Sequence, residues 1–256
     1  MVMDRFRVDG KLALVTGAGT GLGRQFAETL AEAGATVALA ARRREKLEET
    51  AAAIEAAGGK ALCLDLDVTS RESIVRCLTE LNERAGVADI LVNNAGIARQ
   101  AFATDMSESD WNDVIDTNLS GVFRMAQVGA QAMIKAGKRG SIINIGSILG
   151  MRVSKALASY IAAKAGVLHL TKALALEFSR YGIRVNAIAP GYFVTEMNQA
   201  EFDAGGSELV KKQVPMGRVG DLPEIGGPLL LLASDAGSYM TGSVVAVDGG
   251  HLITSL

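Results

Sequence analysis

Proline is scarce and late in this chain: all four prolines stand at positions 190, 215, 223 and 228. No proline-rich linker divides the sequence, and nothing before residue 190 has a ring-locked φ to break a helix. Cysteine is rarer still, with only Cys63 and Cys77, each inside an apolar pattern. That excludes a disulfide framework and fits buried thiols in a reducing compartment. The two histidines, His169 and His251, have no metal-ligand spacing to a cysteine or to each other, which argues against a zinc site. Long apolar runs are missing as well. The N-terminal "MVMDRFRVDGK" has no apolar core of signal-peptide length, and the leucines at 229–232 fall far short of a membrane span, so the cytoplasm is the expected compartment. Charge of one sign is also lacking: 26 Lys+Arg stand against 28 Asp+Glu, a net charge of -2. Without an overall field to attract phosphate backbones or anionic surfaces, neither nucleic acid nor a membrane is an expected partner.

What the sequence does have is an unbroken alternation. Short apolar or β-branched runs at 12–16, 36–40, 61–66, 89–93, 141–146, 183–188 and 243–248 are separated by Ala- and Leu-rich stretches such as 22–33, 43–57, 108–136 and 158–180. Runs of this kind, without polar alternation, read as strands buried on both faces. The pattern predicts an α/β fold, doubly wound, with a seven-stranded parallel sheet and helices on both faces. Gly34 and the pair Gly58-Gly59 are placed to end two of the helices. No composition shift marks a boundary, so residues 1–256 are expected to form one domain. The connection 190–221 is long and has no clear strand. It follows the sixth strand, on the edge where open parallel sheets bind ligands, and reads as a binding loop.

Directly after the first strand comes "TGAGTGLGRQFAETLAEAG", residues 16–34. A strand, a glycine-dense turn and a helix start make an anion site, because glycines let backbone N–H groups approach phosphate oxygens at the positive end of the helix. The spacing is neither G-x-G-x-x-G nor a Walker loop. It is T-G-x-x-x-G-x-G, with Thr16, Gly17, Gly21 and Gly23, and in this it resembles the short-chain dehydrogenase/reductase family. The resemblance extends over residues 10–250. "LDVT" at 66–69, "NNAG" at 93–96, Asn118 in "DTNLSGVF", Ser147 in "NIGSILG", Tyr160 and Lys164 in "SYIAAKAG", and "APGYFVTEM" at 189–197 follow in the family's order.

The resemblance implies an oxidoreductase that moves a hydride between NAD(P)(H) and a ketone or secondary alcohol. Gly17, Gly19, Thr20, Gly21, Leu22 and Gly23 would hold the coenzyme phosphates. Asp67 and Val68 would bracket the adenine, with Asn94, Ala95 and Gly96 near the adenosine ribose. Pro190, Gly191, Phe193 and Thr195 would close over the nicotinamide. The catalytic set is Asn118, Ser147, Tyr160 and Lys164. Tyr160 and Lys164, four residues apart, share one helical face. A free phenol titrates near ~10, so a general acid/base at neutrality needs a fall of about three units, roughly 4 kcal/mol. Lys164 and the oxidised nicotinamide are the expected cations. Ser147 would hydrogen-bond the substrate oxygen, and Asn118 would interrupt its helix and hold a water linking Lys164 to solvent. A serine hydrolase is the rival reading for Ser147, but G-x-S-x-G is absent. A non-catalytic dinucleotide-binding protein would have lost Tyr160 or Lys164, and both are present.

Coenzyme choice is read in "TVALAARRRE". Ala41 stands where NAD-dependent relatives carry Asp, and Arg42 and Arg43 follow, so NADP(H) is favoured and NAD(H) stays open. Thr20 departs from the basic residue that many NADP-dependent relatives place in the glycine loop. Leu149, Met151, Val153, Tyr192, Phe193 and Met197 make a mostly apolar substrate wall, with Arg152 and Glu196 as polar contacts. Within the family the sequence is similar to 3-oxoacyl-acyl-carrier-protein reductases and to sugar or polyol dehydrogenases, and does not choose between them. An acyl carrier protein is an open partner, with Lys135, Lys138, Arg139 and Arg180 as candidate contacts. Self-association as a homotetramer is implied by the family, by the helices at 108–136 and 158–180, and by the apolar final strand.

Overall fold

The computed structural model describes residues 1–196, 198–199 and 202–254. Seven strands form one parallel sheet: β1 (Leu12–Thr16), β2 (Thr36–Ala41), β3 (Lys60–Asp65), β4 (Ile90–Asn93), β5 (Gly140–Ile145), β6 (Ile183–Pro190) and β7 (Val244–Val247). They lie in the order β3-β2-β1-β4-β5-β6-β7. Val15 pairs with Leu39 on one side and Val92 on the other. The chain works outward from β1 to β3 and then crosses back to β4, so the winding reverses between β1 and β4. A crevice opens at the carboxyl ends of the strands at that point.

Among the described residues the α-helices are α1 (Gly21–Glu32), α2 (Arg44–Ala56), α3 (Arg71–Ala85), α4 (Glu108–Ile115), α5 (Gly121–Lys135), α6 (Ala158–Phe178), α7 (Ser207–Gln213) and α8 (Gly226–Ala233). Strand alternation divides them between the two faces. Ala13 and Val15 of β1 point to a core with Phe26 and Leu30 of α1, Leu47 and Ile54 of α2, and Leu229 and Leu232 of α8. Leu12 and Leu14 point the other way, to Ile74, Cys77 and Leu81 of α3, Met125 and Met133 of α5, and Leu174 of α6. Both cysteines are buried free thiols, and burial pushes Cys77 up to about 12.

The helix ends follow the glycines. After α1, Gly34 takes φ +103°, its N–H bonds Ala31 O, and Ala35 N–H bonds Leu30 O, the paired bonds of a Schellman motif. Gly58 and Gly59 close α2 in the same way onto Glu55 O and Ile54 O. The stretch 108–136, expected as a helix interrupted at Asn118, is two helices, α4 and α5, joined by a wide turn at Asp116–Ser120 in which Gly121 N–H reaches back to Asp116 O. The cause lies in Asn118, which is fully buried and exchanges two hydrogen bonds of 2.8 Å with the main chain of Ile97. Among the described residues, no helix is long and apolar enough to cross a membrane.

Candidate active site

The end of β1 is stitched to the end of β4. Thr16 Oγ1 accepts from the N–H groups of Asn94 and Ala95, each at 3.0 Å, while Asn94 Nδ2 donates to Thr16 O at 2.9 Å and Gly17 O at 3.2 Å. The first turn of α1 then packs directly on this seam. A Cβ at Gly23 would lie 2.0 Å from Gly17 O and 2.5 Å from Asn94 Nδ2, so only glycine fits. Thr20 caps α1 in extended conformation without a side-chain cap bond, and the first turn carries no acidic residue. The N-terminal donors of the helix therefore face the crevice with no side chain to neutralise them.

A cleft of about 350 Å³ starts at this loop and runs across the carboxyl ends of the strands to α6. Every residue expected to meet the coenzyme lines it: Gly17, Gly19, Thr20, Gly21, Leu22 and Gly23; Arg42 and Arg43; Asp67 and Val68; Asn94, Ala95 and Gly96; Pro190, Gly191, Phe193 and Thr195; and Tyr160 and Lys164. The glycine cradle, the uncapped helix and this elongated shape fit a dinucleotide. At the arginine end, Arg43 Nη2 lies 3.4 Å from Thr20 Oγ1. Arg44 turns away to Glu48 and Asp65. The Asp67 carboxylate accepts from Thr69 N–H at 2.9 Å and Thr69 Oγ1 at 2.7 Å. Burial pushes this carboxyl up, but those bonds and the charge of Arg42 together prevail and hold it below its ordinary value.

At the far end, Ser147 caps a short turn after β5, its Oγ accepting from Leu149 N–H at 3.1 Å. Lys164 is buried, donates from Nζ to Ile145 O at 2.7 Å, and lies 5.6 Å from the centre of the Tyr160 ring. Burial pushes Tyr160 up, opposed by its hydrogen bond with Ser147. It pushes Lys164 down to about 8. The fall expected for the phenol is therefore not produced by the chain's own groups. Desolvation acts on both members of the pair against their charged forms, and on the phenol it outweighs the hydrogen bond with Ser147.

The remaining expectations fare differently. Asn118 sits behind the cleft wall, where a Cβ at Gly96 would be 3.2 Å from its Oδ1, and Ile97 occupies both ends of its amide. Leu149, Met151 and Tyr192 flank the cleft without lining it. Tyr192 instead stacks on His251 with centroids 5.4 Å apart and meets Phe202 edge-on at 6.2 Å. Arg152 bonds the same C-terminal segment, donating to His251 O and, at 2.8 Å, to Thr254 Oγ1. Met197 lies outside the described residues. Lys138 and Arg139 precede β5, Arg180 precedes β6, and Lys138 holds Asp89 at 3.1 Å just before β4. Those cations, with Lys135 at the end of α5, occupy the amino edge of the sheet, a strand length of roughly 17–20 Å from the cleft.

The cleft also contains residues outside those motifs, Lys46, Ile97 and Asn198, while Glu196, expected as a polar substrate contact, lines it and accepts from Arg43 Nη2 at 3.4 Å. Lys46 sits against the loop, 2.8 Å from where a Gly19 Cβ would be. In the sequence it belongs to an ordinary charged helix face, and only the turn of α2 toward the glycines brings it in.

Residues 17–251 match the family model described as enoyl-(acyl carrier protein) reductase. The chain is 43% identical over 244 residues to a 3-oxoacyl-[acyl-carrier-protein] reductase of Vibrio harveyi, covering 95% of this chain and 98% of the relative. It is 39% identical over 252 residues to the gluconate 5-dehydrogenase of Gluconobacter oxydans, covering 98% of each. A crystal structure of a gluconate 5-dehydrogenase from Burkholderia cenocepacia, in complex with NADP and tartrate, superposes with TM-score 0.95 at 40% identity over 100% of both chains. Matches that span the glycine loop, the Ser-Tyr-Lys end of the cleft and the C-terminal segment together place this chain in the short-chain dehydrogenase/reductase family, as an NAD(P)(H)-dependent oxidoreductase of ketones and alcohols.

Proposed function

We propose that the chain reduces a ketone with NADPH, or oxidises the corresponding alcohol with NADP⁺, at the Ser147–Tyr160–Lys164 end of the cleft. The observation that carries this reading is the continuity of one cleft from the phosphate cradle to those three side chains. The bound coenzyme supplies or accepts the hydride. Ser147 Oγ hydrogen-bonds the substrate oxygen and stabilises charge that develops there. Tyr160 gives that oxygen a proton, or takes one from it. The Lys164 ammonium would steady the phenolate and help to hold the nicotinamide ribose. Asn118 acts as a positioning residue: its side chain is consumed by Ile97, and it holds open the wide turn whose main chain would carry the water that resupplies the proton.

NADP(H) is favoured over NAD(H) because Arg42 and Arg43 line the cleft beside Ala41, where a carboxylate would repel a 2′-phosphate. The Burkholderia relative with NADP supports the same choice. For the substrate, a free ketone or secondary alcohol of moderate size, polyol acids included, fits better than a carrier-bound acyl chain. The four cations considered for a carrier protein stand at the far edge of the sheet. The connection 190–221 is the proposed substrate-binding loop, and cytoplasmic location remains the expectation. A homotetramer is supported by half-exposed Trp111 of α4 and Phe123 of α5, by Leu176 of α6, which is 81% exposed, and by the free edge of β7. Sedimentation at micromolar concentration checks it, and a stable monomer contradicts it.

Tyr160→Phe is expected to leave coenzyme binding nearly intact and to lower kcat by several hundredfold or more, whereas Lys164→Ala damages both. Because burial places the lysine near 8, its ammonium is present below that pH and lost above it. Coenzyme affinity of the free protein should therefore weaken as pH rises through about 8, and Lys164→Ala should abolish that dependence. Fluorescence titration across pH, beside steady-state rates, reads both effects, and near wild-type turnover in Tyr160→Phe would sink the assignment. For coenzyme choice, Ala41→Asp combined with Arg42→Ser and Arg43→Ser exchanges an attraction for a repulsion. A charge-assisted contact is worth roughly 1.5–3 kcal/mol, so the kcat/KM ratio for NADPH over NADH should drop by about ten- to a hundredfold. An unchanged ratio contradicts the reading.

A further inference from the structure

Two acidic side chains line the coenzyme end of the cleft. Asp67 is engaged by Thr69 within its own turn. Glu196 instead reaches across the mouth, where its Oε2 accepts from Arg43 Nη2 at 3.4 Å. The same nitrogen lies 3.4 Å from Thr20 Oγ1. One guanidinium thus gathers the start of α1, the start of α2 and the segment after β6 around the point where a 2′-phosphate would sit.

We infer that Glu196 sets coenzyme selectivity: it is an internal carboxylate that holds Arg43 and must release it before a 2′-phosphate can bind. The inference rests on the NADP(H) reading. Carboxylate and phosphate oxygens seek the same forked donors, so the two compete for one guanidinium. Arg43 and Glu196 are 57% and 58% exposed, which makes the pair weak enough to tune binding and too weak to block it. The carboxylate comes from a fixed turn, because Thr195 N–H bonds Asn198 Oδ1 at 2.8 Å and Asn198 Nδ2 bonds Phe193 O at 2.9 Å. Once displaced, it stays well within the Debye length of about 10 Å at 0.1 M salt and repels the phosphate. Both effects act on the 2′-phosphate and spare an unphosphorylated ribose. Glu196 therefore narrows the preference that Arg42 and Arg43 create.

The test is calorimetric binding of adenosine 2′,5′-bisphosphate and adenosine 5′-monophosphate to the wild type, Glu196→Gln, Arg43→Ala and the double variant, with thermal unfolding as a check on folding. Glu196→Gln should tighten the bisphosphate about two- to fivefold at low salt, with less gain at high salt. The monophosphate should change less, and the gain should shrink in the Arg43→Ala background. Equal changes for the two nucleotides, or the same gain with and without Arg43, would overturn the inference. A wild type with no preference for the bisphosphate overturns the coenzyme reading and the inference with it. A preference that Glu196→Gln leaves unaltered overturns the inference alone.

Discussion

The contact between the first turn of α1 and the end of β1 governs the rest of the site. Gly23 presses backbone on backbone against Gly17, and Asn94 bonds the carbonyls at the same point. That approach aims the helix N-terminus at the crevice where the winding of the sheet reverses. With α1 fixed there, α2 must start beside it, and its first residues bring Arg43 and Lys46 to the loop. The segment after β6 is bound by the same constraint. A Cβ at Gly21 would stand 3.1 Å from Thr195, so the covering segment rests on the glycine loop itself. One close backbone contact thus sets the width of the cleft along its coenzyme half.

The other half depends on a charge held out of water. Lys164 is buried beneath the Tyr160 ring, with Ile145 O as its acceptor. A buried ammonium with a single carbonyl partner titrates low, and the phenol beside it titrates high. A further positive charge entering the site would favour the phenolate, which the chain's own groups do not. A polar chain runs beneath this end, although Asn93 Oδ1 at its start is buried without a partner. Asn93 Nδ2 donates to Asn144 Oδ1 at 2.9 Å, and Asn144 Nδ2 donates to Thr171 Oγ1 at 2.9 Å, tying β4, β5 and α6 together under the reacting side chains.

Much of this was legible in the sequence, because the signals were local. Strands buried on both faces leave continuous apolar runs, and Gly34 and Gly58 end helices where a left-handed residue is needed. β6 runs past its apolar run to Pro190, which pairs with Val247 at the end of the strand, where the missing N–H costs little. The glycine loop and the spacing of Tyr160 and Lys164 place the coenzyme residues along one cleft. What the sequence could not show was set by tertiary approach. The interruption at Asn118 is expected, but not its anchor Ile97, 21 residues away in the chain. Tyr192 reads as a substrate wall until His251 stacks on it. Lys46 reads as a surface charge and Glu196 as a substrate contact, and only folding brings the one to the glycine loop and the other to Arg43.

If one cleft joins a hydride carrier at the glycine loop to a carbonyl held at Ser147 and Tyr160, hydride and proton reach the product from different sources. The most direct measurement uses NADPH deuterated at nicotinamide C4, turned over with a panel of keto acids, polyol-derived ketones and 3-oxoacyl thioesters, with the products read by mass spectrometry and NMR. A substrate in the panel should gain one deuterium on the carbinol carbon while its hydroxyl proton comes from solvent. A carbinol hydrogen drawn from water, or coenzyme label that reaches no substrate, would contradict it.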